Sequence, residues 1–514
     1  MNIHKLLILT TAVASTASLL LAAGSSAHSV ASPFVKIGPQ ATLAGTVAPE
    51  YLLFTCQVVG LSPDITCYDP YQIRHAYGID TLINAGFDGA GKTIVIIDAF
   101  QSPNIKAELN VFNTFYGLPS LNGLGGPSNS SLGTFTQIAP DGLTPFKPGD
   151  PLMTIWAQEI SLDVLWAHAI APAANIVLVL AKSNDDADLL SVTKYAVDHR
   201  LGDVISQSFG DNESCVGSDL LAEQHKVFAE ATRKNITLFA SSGDLGAGQP
   251  TCDGSALVRA VSSPAVDPLV TGVGGTELHA ARYCFEVFGC DPATNPLPGT
   301  YQGEVAWNEP DIGATGGGFS VLFGEPPYQE GVVKRVPAVS DSPTGGGPGI
   351  FFGGAINGGK TRGVPDVSYS AAVLHGVLTY LDIPGLPGGP RWYLFGGTSA
   401  GSPQWAAIIA IADEKAGSDL GFINKSLYDI GRAFPLYAAS FFDVTVGNNS
   451  FDGIAGFNAG RGWDPTTGLG SPKANRLVNY LIQFVSPGDG LSAIAGSEPH
   501  DNGQKFATGF VKPH

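Results

Sequence analysis

Charged side chains are scarce in this 514-residue chain, at 14% of positions, and basic ones are scarcer still. Its 27 Lys and Arg against 45 Asp and Glu leave a net charge of −18 with His neutral. No long basic run is present. So acidic a chain repels nucleic acid, and nucleic-acid binding drops out of the expected functions. After the N-terminus, no stretch reaches the 18 consecutive apolar residues that a membrane span needs, so no membrane-embedded domain is expected. No CxxC pair exists and the cysteines are not clustered with histidines, so a zinc site is not expected. The glycine-rich TGGGFS at 315–320 lacks the Lys-Ser/Thr ending of a phosphate loop and reads as a structural turn.

The ends of the chain are more explicit. MNIHK supplies positive charge, LLILTTAVASTASLLLAAG an apolar region, and Ser25-Ser26-Ala27 a small-residue cleavage site. Residues 1–27 therefore read as a secretory signal peptide, with a retained anchor as the alternative. The mature protein is expected outside the cytoplasm, extracellular or periplasmic, as a monomer. Six cysteines remain after export, an even count that suggests disulfides with 15 possible pairings. Proximity favours Cys56 with Cys67 and Cys284 with Cys290, leaving Cys215 with Cys252.

The most informative segment is FGGTSAGSPQWAAIIAIAD. Ser399, flanked by glycines, stands just ahead of an apolar, alanine-rich stretch that reads as a helix. A helix N-terminus presents free N–H groups and a dipole that favours negative charge, the setting a serine nucleophile needs. The string also fits the G-x-S-x-G elbow of α/β-hydrolases, whose histidine follows the serine. Downstream of Ser399 the only histidines are His500 and His514, in a polar tail. Asp98, at the end of TIVIIDAF, could serve as the aspartate of a subtilisin-type triad. The matching histidine after a glycine-rich turn is missing, and His168, His199 and His225 have no such surroundings.

In place of histidine the chain offers carboxylates. Residues 154–170 contain no glycine or proline and predict a helix ended by Pro172. Glu159 and Asp163, four apart, project from one face of it. Apolar residues surround the rest of the wheel, so the helix is expected to be buried. His168 lies roughly 180° from Glu159 and is not expected at the same site. Read alone, the pair could cap or bridge structural elements, or it could be used chemically, because buried carboxylates are costly otherwise. A further candidate, Asp244, sits in a glycine turn after the apolar run ITLFAS.

Glu159-Ile-Ser-Leu-Asp163, Ser241-Ser242-Gly243-Asp244 and Gly397-Thr398-Ser399-Ala400-Gly401-Ser402-Pro403 together resemble the signatures of the sedolisin family, the serine-carboxyl peptidases. YQIRHAYGID (71–80), SQSFG (206–210), VTGVGGT (270–276), GVPDVS (363–368) and GRGWDPTTGLGSP (460–472) extend the resemblance over roughly residues 70–485. It implies that Ser399 is the nucleophile, Glu159 the general base and Asp163 the group that orients Glu159. Asp244 would complete the oxyanion hole, and must be protonated to donate a hydrogen bond. Both carboxyl roles imply activity in acid. The resemblance also implies one structural Ca2+, held by Asp443, the carbonyls of Val444, Gly460 and Gly462, and Asp464. It further implies protein or peptide substrates. In SQSFG, Phe209 replaces a tryptophan frequent in relatives, and Asp98 sits where some relatives have glutamate.

Short apolar runs at 93–98, 175–181, 203–208 and 236–241, with helical stretches 154–170 and 219–234 between some of them, predict an α/β fold. A mostly parallel central sheet, flanked by helices on both faces, is expected. The resemblance makes it subtilisin-like. The expected organisation is a signal peptide (1–27), a short N-terminal segment (28–70), the sedolisin-like peptidase domain (71–485) and a polar C-terminal tail (486–514). The 28–70 segment is too short for the folded pro-domain that many relatives carry. The glycine-rich stretch 340–365 reads as a surface loop. Two other functions stay open at this point. One is a histidine-dependent serine hydrolase, either an esterase or subtilisin-like. The other is a catalytically silent secreted binding protein on the same fold.

Overall fold

Strands whose residues are apolar without alternation must be covered on both faces, and the chain builds its centre from such strands. The computed structural model describes residues 41–43, 53–62, 64–334, 336, 338, 360–486, 489–494 and 497. Eight strands form the main sheet: β1 (Thr93–Ala99), β2 (Phe135–Ile138), β3 (Asn175–Ala181), β4 (Val204–Gln207), β5 (Thr237–Ser241), β6 (Thr271–Ala280), β7 (Tyr301–Ala306) and β8 (Val367–Ser370). Their order is β7-β6-β5-β4-β1-β3-β2, and β8 also pairs with β6. Every pairing is parallel except β6 with β7. The β1–β3 ladder runs in register from Thr93 opposite Asn175 to Ala99 opposite Ala181.

Five helices surround the chemistry-bearing edge of this sheet: α1 (Ile105–Tyr116), α2 (Pro151–Ile170), α3 (Asp186–Asp198), α4 (Ser218–Arg233) and α5 (Gly401–Ala416). Helices α2 and α5 pack on each other and on the sheet, while α3 and α4 form a second packed pair against it. The α/β architecture expected from the sequence, a mostly parallel sheet flanked by helices, is the one observed. Helix α2 begins three residues before the expected 154. Pro151 occupies its first turn, where a missing N–H costs nothing, and the Asp150 side chain caps the Met153 N–H at 3.1 Å.

A smaller, four-stranded sheet joins Ala41–Leu43 and Thr66–Tyr68 to β9 (His375–Leu381) and β10 (Arg391–Phe395). The two disulfides favoured by proximity, Cys56–Cys67 and Cys284–Cys290, are present, and so is the remaining pair, Cys215–Cys252. No helix among the described residues is long and apolar enough to cross a membrane.

The expected signal peptide lies outside the described residues, as do parts of segments 28–70, 340–365 and 486–514. One expectation needs correction where those segments are described. Thr361–Val364, read as the end of a surface loop, is a buried strand paired with Gly318–Gly324. Its Arg362 is fully buried and bonded to both oxygens of Asp366 at 2.6 Å, which is what brings a charged residue inside. In the polar tail, Asp489–Ile494 forms a helix against α4, and Ser497 is buried with its Oγ 3.1 Å from His225 Nε2.

Candidate active site

Strand β10 leads through Gly396 and Gly397 into a single 3-10 turn, Thr398–Ala400, and then directly into α5. Ser399 therefore stands at the N-terminus of a 16-residue helix, as its surroundings in the sequence predict. Gly397 has φ +92°, and a Cβ there would lie 2.6 Å from Asp244 Oδ2. Both facts require glycine. Ser206 Oγ on β4 and Ser402 Oγ, 2.8 Å apart, tie the first turn of α5 to the sheet. The indole of Trp405 donates to the Ser368 carbonyl at 3.0 Å.

Asp244 arrives from the end of β5 through Gly243, which has φ +109°. Thr398 joins this turn to the serine turn. Its N–H and its hydroxyl both donate to Asp244 Oδ1 at 2.8 Å, and its Oγ1 accepts from the Gly243 N–H at 3.1 Å. Both donors converge on Oδ1, so Oδ2 is left as the oxygen able to carry a proton. Residues 314–316 back this arrangement: Gly316 N–H donates to the Gly243 carbonyl at 2.7 Å and Ala314 N–H to the Asp244 carbonyl at 2.9 Å, while 318–320, expected as part of a turn, begins a strand.

Helix α2 is buried nearly all round from Trp156 onward, and it packs on α5 and on the serine turn. Its Glu159 is buried beside the Ser399 hydroxyl, which favours the charged form of the carboxyl. Asp163, one turn further, is fully buried beside Glu159 and the Ser208 hydroxyl. Asp98, at the C-terminal edge of β1, adjoins Asp163. Ser399, Glu159, Asp163 and Asp244, the four residues singled out in the sequence, thus lie together, with Asp98 behind them. Parallel α/β sheets collect their functional groups at this edge, where the strand order reverses about β1.

The electrostatics are unusual because no cation among the described residues compensates these carboxyls. Burial holds Glu159 well above the ordinary carboxyl range, reinforced by Asp163 and Asp98 and offset by the Ser399 hydroxyl. Asp98 is pushed well up by burial and then by Asp163, and Asp163 is raised by burial against the pull of Ser208 and Glu159. With all three ionised, neither oxygen of Asp98 or Asp163 would have a donor in hydrogen-bonding geometry. Carboxyls this close, each disfavouring the charge of the next, titrate as one unit. Asp244 is pushed up to about 6 by burial, against two donors from Thr398.

Sequence reading missed the role of Thr398, although it lies inside the quoted GTS motif, and that of Ser208 in SQSFG. Phe209 is partly buried, its ring 6.4 Å from that of Trp156. None of the six described histidines joins the site. His168 bonds to the Pro119 carbonyl at 2.9 Å, and burial pushes it down to about 4. His199 is at 2.9 Å from the Tyr195 carbonyl. His225 lies between Asp267 at 2.8 Å and Ser497, a serine–histidine–aspartate relay that is wholly buried and separate from Ser399.

The segments expected to hold calcium also meet. Gly462 N–H and the Tyr437 hydroxyl donate to Asp443 Oδ1 at 3.1 and 2.8 Å, while Gly460 N–H donates to Asp464 Oδ2 at 3.1 Å. Asp464 also receives Thr466 and Thr467, and burial pushes it up to about 6. The carbonyls of Val444, Gly460 and Gly462 accept no hydrogen bond from the described residues. Two carboxylates and three free carbonyls in one loop cluster form a hard-oxygen donor set that suits calcium.

No protein-family model matches the chain. Kumamolisin of Bacillus sp. (strain MN-32) is 31% identical over 425 residues, covering 82% of this chain and 65% of kumamolisin. Sedolisin of Pseudomonas sp. (strain 101) is 30% identical over 311 residues, 58% of this chain and 44% of sedolisin. Tripeptidyl-peptidase 1 of Rattus norvegicus is 31% identical over 286 residues, 54% of this chain and 42% of the relative. The chain spans less than two thirds of the length of these relatives. Among solved structures, Pseudomonas sedolisin, a serine-carboxyl proteinase complexed with two molecules of pseudo-iodotyrostatin, superposes with a TM-score of 0.63 at 26% identity. That match covers 82% of this chain and 99% of the solved one.

Proposed function

The chain is homologous over most of its length to the family of sedolisin, kumamolisin and tripeptidyl-peptidase 1, the serine-carboxyl peptidases, and from that premise we propose that it hydrolyses peptide bonds in acid through a Ser399–Glu159–Asp163 triad. The observation that carries the reading is that α2 packs on the serine turn and sets a buried glutamate beside Ser399, with no described histidine in reach. Ser399 Oγ attacks the scissile carbonyl and its proton passes to Glu159, which later gives it to the leaving amine. Water then attacks the acyl-enzyme, losing its proton to Glu159, and the acid product leaves as Ser399 regains a proton. Asp163, one helical turn away, orients Glu159 and shares its proton.

The Ser399 hydroxyl favours negative charge on Glu159, whereas nothing offsets the burial of Asp98. Asp98 thus acts as a positioning residue behind the triad. Charge developing on the carbonyl oxygen is met at the helix N-terminus and by the proton on Asp244 Oδ2. Asp443, Asp464 and the carbonyls of Val444, Gly460 and Gly462 would hold one Ca2+, which when bound would pin the 441–444 segment to the 460–464 loop. The substrates are proteins or peptides, and the enzyme acts as an exported monomer. Three disulfides support an oxidising destination.

Hydrolysis of a denatured protein between about pH 2 and 8 tests this, comparing wild type with Ser399→Ala and Glu159→Gln. Acid-confined activity abolished by both changes is expected. Activity that survives Glu159→Gln and peaks near neutrality would mean a histidine base, and no activity at any pH would mean a silent binding protein.

A further inference from the structure

We propose that Glu277, His279 and His375 form a binding site for one divalent cation of the zinc class, outside the catalytic group. Glu277 and His279 are two apart on β6 and so share one face of it. His375 opens β9 in the smaller sheet. The site would therefore link the two sheets. His279 Nε2 lies 3.2 Å and His375 Nδ1 3.4 Å from Glu277 Oε1, and all three ligand atoms are within 4.8 Å of one another. Around a tetrahedral zinc with bonds of about 2.0–2.1 Å, neighbouring ligand atoms stand roughly 3.3–3.4 Å apart. Two edges of that tetrahedron are already in place.

The ion pair between His279 and Glu277 accounts for two of these residues and not for His375. His375 Nδ1 is buried yet has no hydrogen-bond partner, although a carboxylate oxygen lies 3.4 Å away. His375 Nδ1 approaching that oxygen without a hydrogen bond is the geometry of a ligand aimed at a shared centre. The approach to His375 is also rigid. The Ala371 N–H donates to the Thr276 carbonyl on β6 at 2.8 Å, and the Glu309 carboxylate accepts the N–H groups of Val373 and Leu374 at 2.7 Å each. Trp307 Nε1 donates to Glu309 in turn, at 2.9 Å. These contacts fix the backbone that delivers His375 to the site. The side chains of Glu277, His279 and His375 are 21%, 45% and 22% exposed, so an ion can enter and a water can complete the coordination.

Two imidazoles and one carboxylate suit zinc, copper or nickel, and not calcium, which takes six or more oxygens. The cysteine count gives no hint of such a site, because its ligands include no thiolate and come from two distant strands.

The test uses the full chain, stripped with chelator and resaturated with Ca2+ so that the oxygen site is filled. Zinc chloride is then titrated calorimetrically at about pH 7.5 against wild type, Glu277→Gln, His279→Ala and His375→Ala, with His199→Ala as a control for an unrelated histidine. One zinc per chain is expected for wild type and His199→Ala, weakened at least about tenfold in the other three. Zinc should also raise the thermal midpoint of wild type and not that of His279→Ala, whose exposed side chain makes it the variant least able to disturb folding. No stoichiometric binding to wild type, or equal binding by folded His279→Ala, would overturn the proposal.

Discussion

Replacing Asp244 by asparagine isolates the pH dependence of the oxyanion donor. Burial pushes the Asp244 carboxyl up to about 6. It is then roughly 90% protonated at pH 5 and roughly 10% at pH 7, so its capacity to donate falls about tenfold over that interval. Asparagine is close in shape. Its Oδ1 still accepts the Thr398 N–H and hydroxyl, now at 2.8 Å each, and its amide N–H takes the place of Oδ2–H. It donates at every pH. Alanine, in contrast, removes the donor, which costs about 10²–10³ in kcat, or about 2.7–4 kcal/mol. The assay is kcat/KM on one peptide substrate from about pH 3 to 7 for wild type and both variants. Asp244→Asn should be less active than wild type at pH 5, and the ratio of variant to wild type should rise about tenfold by pH 7. The acid limb, which belongs to the Glu159–Asp163–Asp98 group, should be unchanged. A ratio that stays flat across this range would refute the role given to the Asp244 proton.

Three further outcomes are expected. Gly397→Ala sets a Cβ 2.6 Å from Asp244 Oδ2 at φ +92°, so kcat should fall far more than KM rises, with a strain cost of roughly 1–2 kcal/mol visible in denaturant melts; an unaltered kcat would contradict the close approach. Chelation should lower the thermal midpoint of wild type, whereas Asp464→Asn should start lower and respond little, and an equal response would place calcium elsewhere. Glu108 and Glu213 are fully buried and pushed up to about 7, so the folded chain binds more protons than the unfolded one between about pH 4.5 and 7. Each then withdraws up to about 3 kcal/mol of stability as pH rises through that window, while His168, held down to about 4, opposes them below pH 6.5. With two such carboxyls and Asp244 against one histidine, calorimetry should find a higher midpoint near pH 4.5 than near 7.5, and a midpoint that climbs toward neutrality would reverse the argument.

Much of this protein is written in local pattern. Unbroken apolar runs specify buried parallel strands, and a four-residue spacing on a helix without glycine or proline puts Glu159 and Asp163 on one face whatever surrounds them. Gly397-Thr398-Ser399 ahead of an alanine-rich helix specifies a serine at a helix N-terminus. Two of the disulfides follow from neighbourhood along the chain, and the third is the pair that remains. These features depend on backbone geometry over a few residues, which is why they are legible without a fold.

Tertiary structure alone decided what depends on contacts between distant segments. Thr398 bonds Asp244 across 154 residues of sequence, and only packing of the β5 turn against the α5 turn makes that possible. Asp98 could be a strand-end cap until α2 brings Asp163 beside it. Thr361–Val364 looked like loop because glycine surrounds it, yet Asp366 and the strand at Gly318 turn it inward. The pairing of His375 with Glu277 and His279 has no trace in spacing, since it exists only where two sheets meet. Burial does the rest: the same carboxyls in an exposed loop would be ordinary acids, and the interior raises their proton affinity because it withholds both water and any cation.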